Sequence, residues 1–347
     1  MDYRPLGRTG MMVSPFCLGA MMFGRSGNRD HDAGVAIIHR ALDAGINFID
    51  TADVYSAGES EEIVGKALAG GRRDEVILAT KCHFPLSGPG SEAPPNRSGS
   101  SRRWIRKACD DSLRRLGTDW IDLYQLHRFD PAVDIDETLG ALSDLVRQGK
   151  IRAFGSSTFP SERIVEAQWV AERRGREKFS CEQPPYSIFV RWIERDLLPT
   201  CARYDMGTLV WSPLNGGWLA GRYRKGEPID PESRAGRMAA RYNMESPASQ
   251  RKLELVDELD KLANDSGLSL THLALAWCLE HPAVTSAIIG PRTMEQLEQQ
   301  LGADESRLSV EVLDRIDELV PAGTNVDPNE MGWRPPELSR RRRRRPR

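Results

Sequence analysis

An acid, a phenol, an amine and an imidazole stand at the ends of three successive apolar runs in this 347-residue chain. Asp50 and Tyr55 follow the run 46–49, Lys81 follows 75–80, and His127 follows 121–126. If those runs are neighbouring strands, the four side chains converge on one rim. Tyrosine is a weak acid near neutral pH, with an ordinary pKa of about 10. A nearby ammonium favours its phenolate, and a carboxylate beyond the ammonium keeps that group charged and in place. The expectation is that Lys81, backed by Asp50, pulls the Tyr55 phenol well below its ordinary value. Each tenfold change in that equilibrium needs only about 1.4 kcal/mol. Tyr55 could then protonate a developing alkoxide while His127 holds a carbonyl oxygen by a hydrogen bond. Taken singly, each residue reads more readily as a turn former, a rim aromatic, a solvated lysine or a satisfied polar group. Their combination, in mutually useful types, is what points to chemistry. No side chain delivers a hydride, so this reading calls for a nicotinamide cofactor.

Later strand ends carry groups that could hold such a cofactor. Ser157 and Thr158 offer hydroxyls, and Gln183 offers a carboxamide able to pair with another carboxamide. Trp211 is a flat ring suited to stacking, with an ordinary core aromatic as the equal alternative. Arg292 precedes a helix, a natural place for a phosphate, and competes evenly with a solvated surface charge. Met22, Phe23 and Phe84 follow strand runs and could line an apolar substrate pocket beside His127. His83 lies close enough in sequence to Lys81 to be a lesser candidate for the proton donor.

These groups are useful only if the chain places them together. Short runs rich in apolar and β-branched residues recur at 16–19, 46–49, 75–80, 121–126, 152–155, 180–183, 207–211 and 286–289. Segments with helical spacing lie between most of them. Asp30, Ser101 and Ser269 can cap three of the helices, and Gly45, Gly117, Gly149 or Pro282 stands at the end of four. Eight strands alternating with helices imply an α/β chain folded as a (β/α)₈ TIM barrel. The rival, an open doubly wound sheet, would carry GxGxxG after its first strand, and that motif is absent. Residues 3–14 read as a hairpin over GRTG that could plug the N-terminal mouth. Two long polar stretches, 85–101 and 222–249, follow strands and so belong to the C-terminal face, where barrel enzymes keep their active sites. Residues 1–337 read as one barrel domain and 338–347 as an arginine-rich disordered tail.

Composition narrows the classes. At 39% hydrophobic, the chain can bury a large core. No apolar run is long enough to span a membrane, and no basic segment leads into an apolar one at the N-terminus. Cys17, Cys82, Cys109, Cys181, Cys201 and Cys278 form no CxxC or Cys/His cluster, which suits reduced thiols in a cytoplasmic protein without a metal site. The formal net charge of −2 includes Arg340 to Arg345 and Arg347, so the rest of the chain is acidic and ill suited to nucleic acid. The basic tail reads as a solvated terminus rather than a nucleic-acid anchor. No oligomer is specified by the sequence.

The residues also resemble a known family. FIDTADVYSAGESEEIVGKAL carries the most specific match, and SLRRLGTDWIDLYQLHRFDP, RQGKIRAFGSST and WSPLNGGWLAGRY follow in order. From YRPLGRTGMMVSPFCLGAMMFG to about residue 320, the chain resembles the aldo-keto reductases. The branch is that of aryl-alcohol dehydrogenase-like reductases and potassium-channel β subunits. The resemblance implies a (β/α)₈ barrel binding NADPH/NADP⁺ in extended form and acting on a small-molecule carbonyl substrate. It places the catalytic tetrad on Asp50, Tyr55, Lys81 and His127, with Tyr55 the proton donor. It implies that Ser157, Thr158 and Gln183 hold the nicotinamide amide over Trp211, and that Arg222 and Arg234 meet the pyrophosphate. Arg292 and Gln296 would meet the 2′-phosphate, and Gln299 and Gln300 the adenine. Gly19, Met21, Asp50, Ser212, Pro213, Leu214, Gly216 and Gly290 complete the implied cofactor set. Thr158 departs from the usual Asn, and Gln299 and Gln300 from the usual Glu and Asn. The alternative this branch raises is a regulatory, redox-sensing subunit that binds NADPH with little turnover.

Overall fold

Eight short runs of apolar and β-branched residues pair in parallel, each with its sequence neighbour, and the last closes on the first. The computed structural model describes residues 1–92, 94–231, 233–237 and 242–332, without the side chains of Arg234 and Arg237. The arginine-rich segment 338–347 lies outside the described residues. An antiparallel hairpin, β1 (Arg4–Pro5) and β2 (Met12–Val13), precedes the barrel. The barrel strands are β3 (Phe16–Gly19), β4 (Phe48–Asp50), β5 (Ile77–Cys82), β6 (Ile121–Leu126), β7 (Ile151–Ser157), β8 (Cys181–Gln183), β9 (Gly207–Trp211) and β10 (Ser286–Ile289). Around them run α1 (His31–Asp43), α2 (Glu59–Leu68), α3 (Arg102–Leu116), α4 (Ile135–Arg147), α5 (Ser161–Arg174) and α6 (Leu197–Arg203). The short α7 (Arg234–Arg237) is followed by α8 (Pro247–Asp265), α9 (Leu270–Glu280), α10 (Met294–Glu298) and α11 (Val310–Leu319). This is the (β/α)₈ barrel that the alternation implies.

The helix boundaries follow local chemistry. Asp30 accepts from the Asp32 and Ala33 amides to start α1, and the Ser101 and Ser269 hydroxyls cap α3 and α9 in the same way. Gly117, at φ 64°, ends α3 in the left-handed conformation that glycine adopts without a steric penalty. The stretch 222–249, read as loop, contains α7 and the start of α8, where Pro247 takes the first helical position behind the Ser246 cap.

Strand periodicity sorts the barrel interior into layers. Cys17, Phe48, Ala79, Leu123, Ala153, Cys181, Leu209 and Ile288 pack into one apolar cluster with Leu6 and Val13 of the hairpin segment. Leu6 and Val13 are wholly buried, so the hairpin does close the N-terminal mouth. Two residues further along each strand, alternation turns the next side chain inward as well. That layer comprises Gly19, Asp50, Lys81, Gln125, Gly155, Gln183, Trp211 and, just past β10, Gly290. Polar groups thus sit directly on an apolar floor, at the C-terminal end of the barrel.

Two strands run further than the apolar runs suggest. Asp50 is the last residue of β4, paired with Gly19 and Ala79, and Lys81 lies inside β5 opposite Gln125. The ladder, rather than a turn, therefore aims both side chains inward. All six cysteines are free and buried. Among the described residues, no helix is long and apolar enough to cross a membrane.

Candidate active site

The inward layer brings three of the four candidate residues into direct contact, with the fourth against them. Lys81 Nζ donates to Asp50 Oδ2 at 2.5 Å, to the Thr51 carbonyl at 2.9 Å and to Tyr55 Oη at 3.3 Å. An ammonium has three donors and no acceptor, so this set uses all of them. The other Asp50 oxygen accepts from Gln183 Nε2 at 2.8 Å and Gln125 Nε2 at 3.2 Å. The His127 ring meets the Tyr55 ring edge-on, with centroids 5.7 Å apart.

Tyr55 reaches this position through an unusual turn. The segment Tyr55–Gly58 follows β4, and Ser56 and Ala57 are held at φ 50° and 57°. Side chains with a Cβ rarely adopt that conformation, and each instance costs on the order of 1 kcal/mol or more. Ser56 offsets part of the strain by donating to the Phe23 carbonyl at 3.0 Å and accepting from the Ser26 amide at 3.2 Å. Behind the turn, buried Glu61 accepts from Thr80 Oγ1 and from Arg115, both at 2.6 Å. The phenol is thus braced from the loop after β3 and from α3.

The charge balance differs from the sequence expectation in one respect. Burial pushes the Tyr55 phenol above its ordinary value, and the Lys81 ammonium only pulls part of the way back. The expected net lowering does not occur, because the closed cleft penalises the phenolate more than one paired lysine favours it. Tyr55 is therefore a neutral phenol. Burial also opposes the charge on Lys81, but Asp50 and Tyr55 outweigh it and hold the ammonium above its ordinary value. Burial, together with the Lys81 and Arg128 charges, drives His127 well below the usual imidazole range. A neutral imidazole can donate one hydrogen bond but has no acidic proton to give at pH 7. His83 is likewise held below the usual range, chiefly by burial.

This geometry can be set beside known proteins. The family model described as the Aldo/keto reductase family matches residues 15–321. The chain belongs to the aldo/keto reductase family. It is 38% identical over 340 residues to "Uncharacterized oxidoreductase YrpG" of Bacillus subtilis, covering 96% of this chain and all of that one. It is 34% identical over 339 residues to a "Putative voltage-gated potassium channel subunit beta" of Schizosaccharomyces pombe, covering 96% of each. A "Putative aryl-alcohol dehydrogenase" of the same yeast is 33% identical over 348 residues, covering 91% of this chain and 95% of that one. The protein is an oxidoreductase.

In this aldo/keto reductase the remaining candidates fall into separate groups. Ser157 and Thr158 are buried at the end of β7, where Ser157 Oγ donates to the Gln183 carbonyl at 2.9 Å and the Thr158 amide does so at 3.2 Å. With its amide nitrogen on Asp50 and Gln125, Gln183 has its carboxamide oxygen left as an acceptor. That donor and acceptor set fits a nicotinamide carboxamide. Trp211 is half-buried beside them, at the end of β9. Beyond it, Ser212, Asn215 and Gly216 have φ of 59°, 45° and 69°, so residues 212–216, with Pro213 and Leu214, bend sharply away from the barrel. Gly19 is packed tight, since a Cβ there would lie 2.7 Å from Ile288 Cγ2, whereas nothing lies within 4 Å of one at Gly290. Met21 is half-buried and Arg222 exposed. The side chain of Arg234 is outside the described residues. Gln296 Oε1 accepts from the Arg292 amide at 2.9 Å, which joins those two residues at the start of α10. Gln299 is exposed and donates to Glu295, whereas Gln300 is buried, so the pair does not present one adenine-facing surface.

On the substrate side, Phe84 lies edge-on to His127 at 5.0 Å, and Met22 is half-buried. Phe23 does not line the pocket. It is wholly buried, its ring against α1 beside Gly34, because its amide closes the turn Ala20–Met22 onto the Ala20 carbonyl and swings the side chain inward.

Three residues of this site went unread in the sequence. Gln125 was legible in principle, since it stands two positions after Leu123 on the same strand face. Glu182 faces away from the barrel axis, yet it accepts from Ser156 Oγ and from the Phe159 amide at 3.1 Å and so braces the turn carrying Thr158. Arg128 follows His127 with no pattern of its own to mark it.

Proposed function

We propose that this oxidoreductase reduces aldehydes or ketones to alcohols with NADPH, and that Tyr55 donates the proton. The observation that carries the reading is the direction of the Lys81–Tyr55 hydrogen bond. Lys81 can only donate, so Tyr55 Oη accepts, and the phenolic proton is left to point toward the cleft. Reduced nicotinamide bound over Trp211 would supply the hydride to the carbonyl carbon. Ser157, Thr158 and Gln183 would hold its amide, and Arg292 with Gln296 would meet the 2′-phosphate, which is the reason to name NADPH rather than NADH. As negative charge grows on the carbonyl oxygen, Tyr55 releases its proton to that oxygen and His127 donates a hydrogen bond to it. The phenolate that remains is paired with Lys81, which Asp50 keeps charged, and takes a new proton from water. His127 is the weaker candidate for the acid, because its ring is neutral before the reaction begins.

The potassium-channel β subunit among the relatives favours a second reading, a regulatory subunit that binds NADPH with little turnover. One experiment separates the two. NADPH consumption is followed with a panel of aromatic and aliphatic aldehydes, the alcohol product is identified, and the rates are repeated with NADH. Turnover with at least one aldehyde, and a clear preference for NADPH, is the expected result. Tight NADPH binding without consumption of any aldehyde would favour the regulatory subunit.

A further inference from the structure

Arg128 carries a charge that no close carboxylate among the described residues pairs. Arg73, Arg115 and Arg191, all largely buried, are each paired with a carboxylate, at 2.7 Å, 2.6 Å and 2.8 Å. Arg128 is also half-buried, yet among the described residues no carboxylate lies within ion-pair distance of it. Its Nη1 donates to the His127 carbonyl at 2.5 Å, and its Cζ stands 5.7 Å from the centre of the Phe84 ring. The other N–H groups of the guanidinium have no protein acceptor among the described residues. Glu182 acts on it only from beyond ion-pair distance, and a partly desolvated guanidinium that retains open donors without a hydrogen-bonded carboxylate is costly to keep, unless an anion completes it.

Its place indicates what that anion belongs to. Tyr55 meets His127, His127 meets Phe84, and Phe84 lies under Arg128, a row of three rings with neighbouring centroids 5.7 Å and 5.0 Å apart. The guanidinium is therefore joined to the pair that would grip the carbonyl oxygen through one intervening ring, that of Phe84. It stands on the Phe84 and His127 side of the site, against the Phe84 ring and the His127 carbonyl, whereas Gln183 and Trp211 end β8 and β9. Its position next to His127 limits the spacing, because the two directly follow β6 and the His127 amide is tied to the Cys82 carbonyl at 2.9 Å.

We propose that Arg128 selects carbonyl substrates bearing an anionic group, a carboxylate above all, separated from the aldehyde by a spacer about the length of one ring. The planar fork of the guanidinium matches a carboxylate with two parallel hydrogen bonds, and Phe84 supplies a flat apolar wall for the spacer. This rests on the reductase reading and narrows it to a substrate class.

The test compares kcat/KM for 4-carboxybenzaldehyde and for its methyl ester, in wild type, Arg128→Gln and Arg128→Lys. The ratio between the two aldehydes is the readout, so a general loss of activity in a variant cancels. A hydrogen-bonded charge pair predicts a wild-type preference for the carboxylate of about 10- to 100-fold. Arg128→Gln should bring the ratio near unity, and Arg128→Lys, which keeps the charge but loses the fork, should fall between. The wild-type preference should also shrink as salt is raised. If wild type reduces the ester at least as well as the acid, or if Arg128→Gln keeps the preference, the anion site is refuted and the reductase reading stands. If wild type reduces neither these aldehydes nor any other, the reductase reading fails and the anion site with it.

Discussion

Asp50→Asn tests how the polar layer of the barrel is held together. In the wild type, one carboxylate oxygen takes the Lys81 ammonium at 2.5 Å and the other takes the Gln183 and Gln125 amides at 2.8 Å and 3.2 Å. Asparagine keeps one oxygen and replaces the other with a donor. Whichever way it turns, its NH₂ confronts either the ammonium or two amide N–H groups. Removing one member of a buried ion pair costs about 3–5 kcal/mol. The sign of the pH dependence is the sharper readout. Lys81 is held above its ordinary value of 10.5, so in wild type its contribution to stability is complete below that pH and is lost only above it. Without Asp50 the buried lysine must shed its proton to fold, and its pKa falls below that of the unfolded chain. Stability of the variant should then rise with pH from neutrality toward 10.5, by up to about 1.4 kcal/mol per pH unit, while wild type shows no such rise. Urea unfolding at a series of pH values measures both. A variant within about 1 kcal/mol of wild type at pH 7, with no upward slope, would refute the claim that Asp50 is what keeps Lys81 charged.

Two further outcomes follow from the turn after β7. Thr158 is held at φ 56°, a conformation that a β-branched residue resists and asparagine tolerates, so Thr158→Asn should stabilise the fold by about 1 kcal/mol. The same change adds a carboxamide at the candidate nicotinamide site and should tighten NADPH binding several-fold, as measured by fluorescence titration; weaker binding would count against that placement. Burial, opposed by hydrogen bonds from Ser156 and the Phe159 and Thr158 amides, lifts Glu182 from 4.5 to about 7. The native state then holds a proton that the unfolded chain releases, so stability should fall by about 3 kcal/mol as pH rises between those values. Glu182→Gln should flatten that slope in urea melts, and an unchanged slope would assign it to another group.

The fold was legible because a barrel repeats one signal eight times. Strand runs, caps such as Asp30 and Ser101, and glycines such as Gly117 act over a few residues, and sequence carries that range well. The strand ends were misplaced by one or two residues because pairing, which is not local, extends β4 to Asp50 and β5 to Cys82. Polar residue types at the ends of apolar runs were enough to nominate the four groups that meet in the barrel. The Tyr55 balance was not readable, since it depends on how far the cleft excludes water, a property of the packed whole. Phe23 was misread for a related reason: a single turn of backbone, Ala20–Met22, decides whether a side chain after a strand enters the pocket or the core. Arg128 is invisible without the structure, because its meaning lies in guanidinium donors that no close carboxylate among the described residues takes.

The central claim is that Tyr55 gives the proton. Tyr55→Phe removes one oxygen and leaves Lys81 its bonds to Asp50 and Thr51, so the polar layer should persist. The decisive measurement is kcat for an aldehyde that wild type reduces, taken together with NADPH affinity, in wild type and Tyr55→Phe. The account predicts a fall in kcat of about 10²- to 10⁴-fold, the range for loss of a general acid, with NADPH affinity within about twofold. A variant that keeps kcat within about tenfold of wild type while binding NADPH normally would contradict it, and would return the proton to another donor.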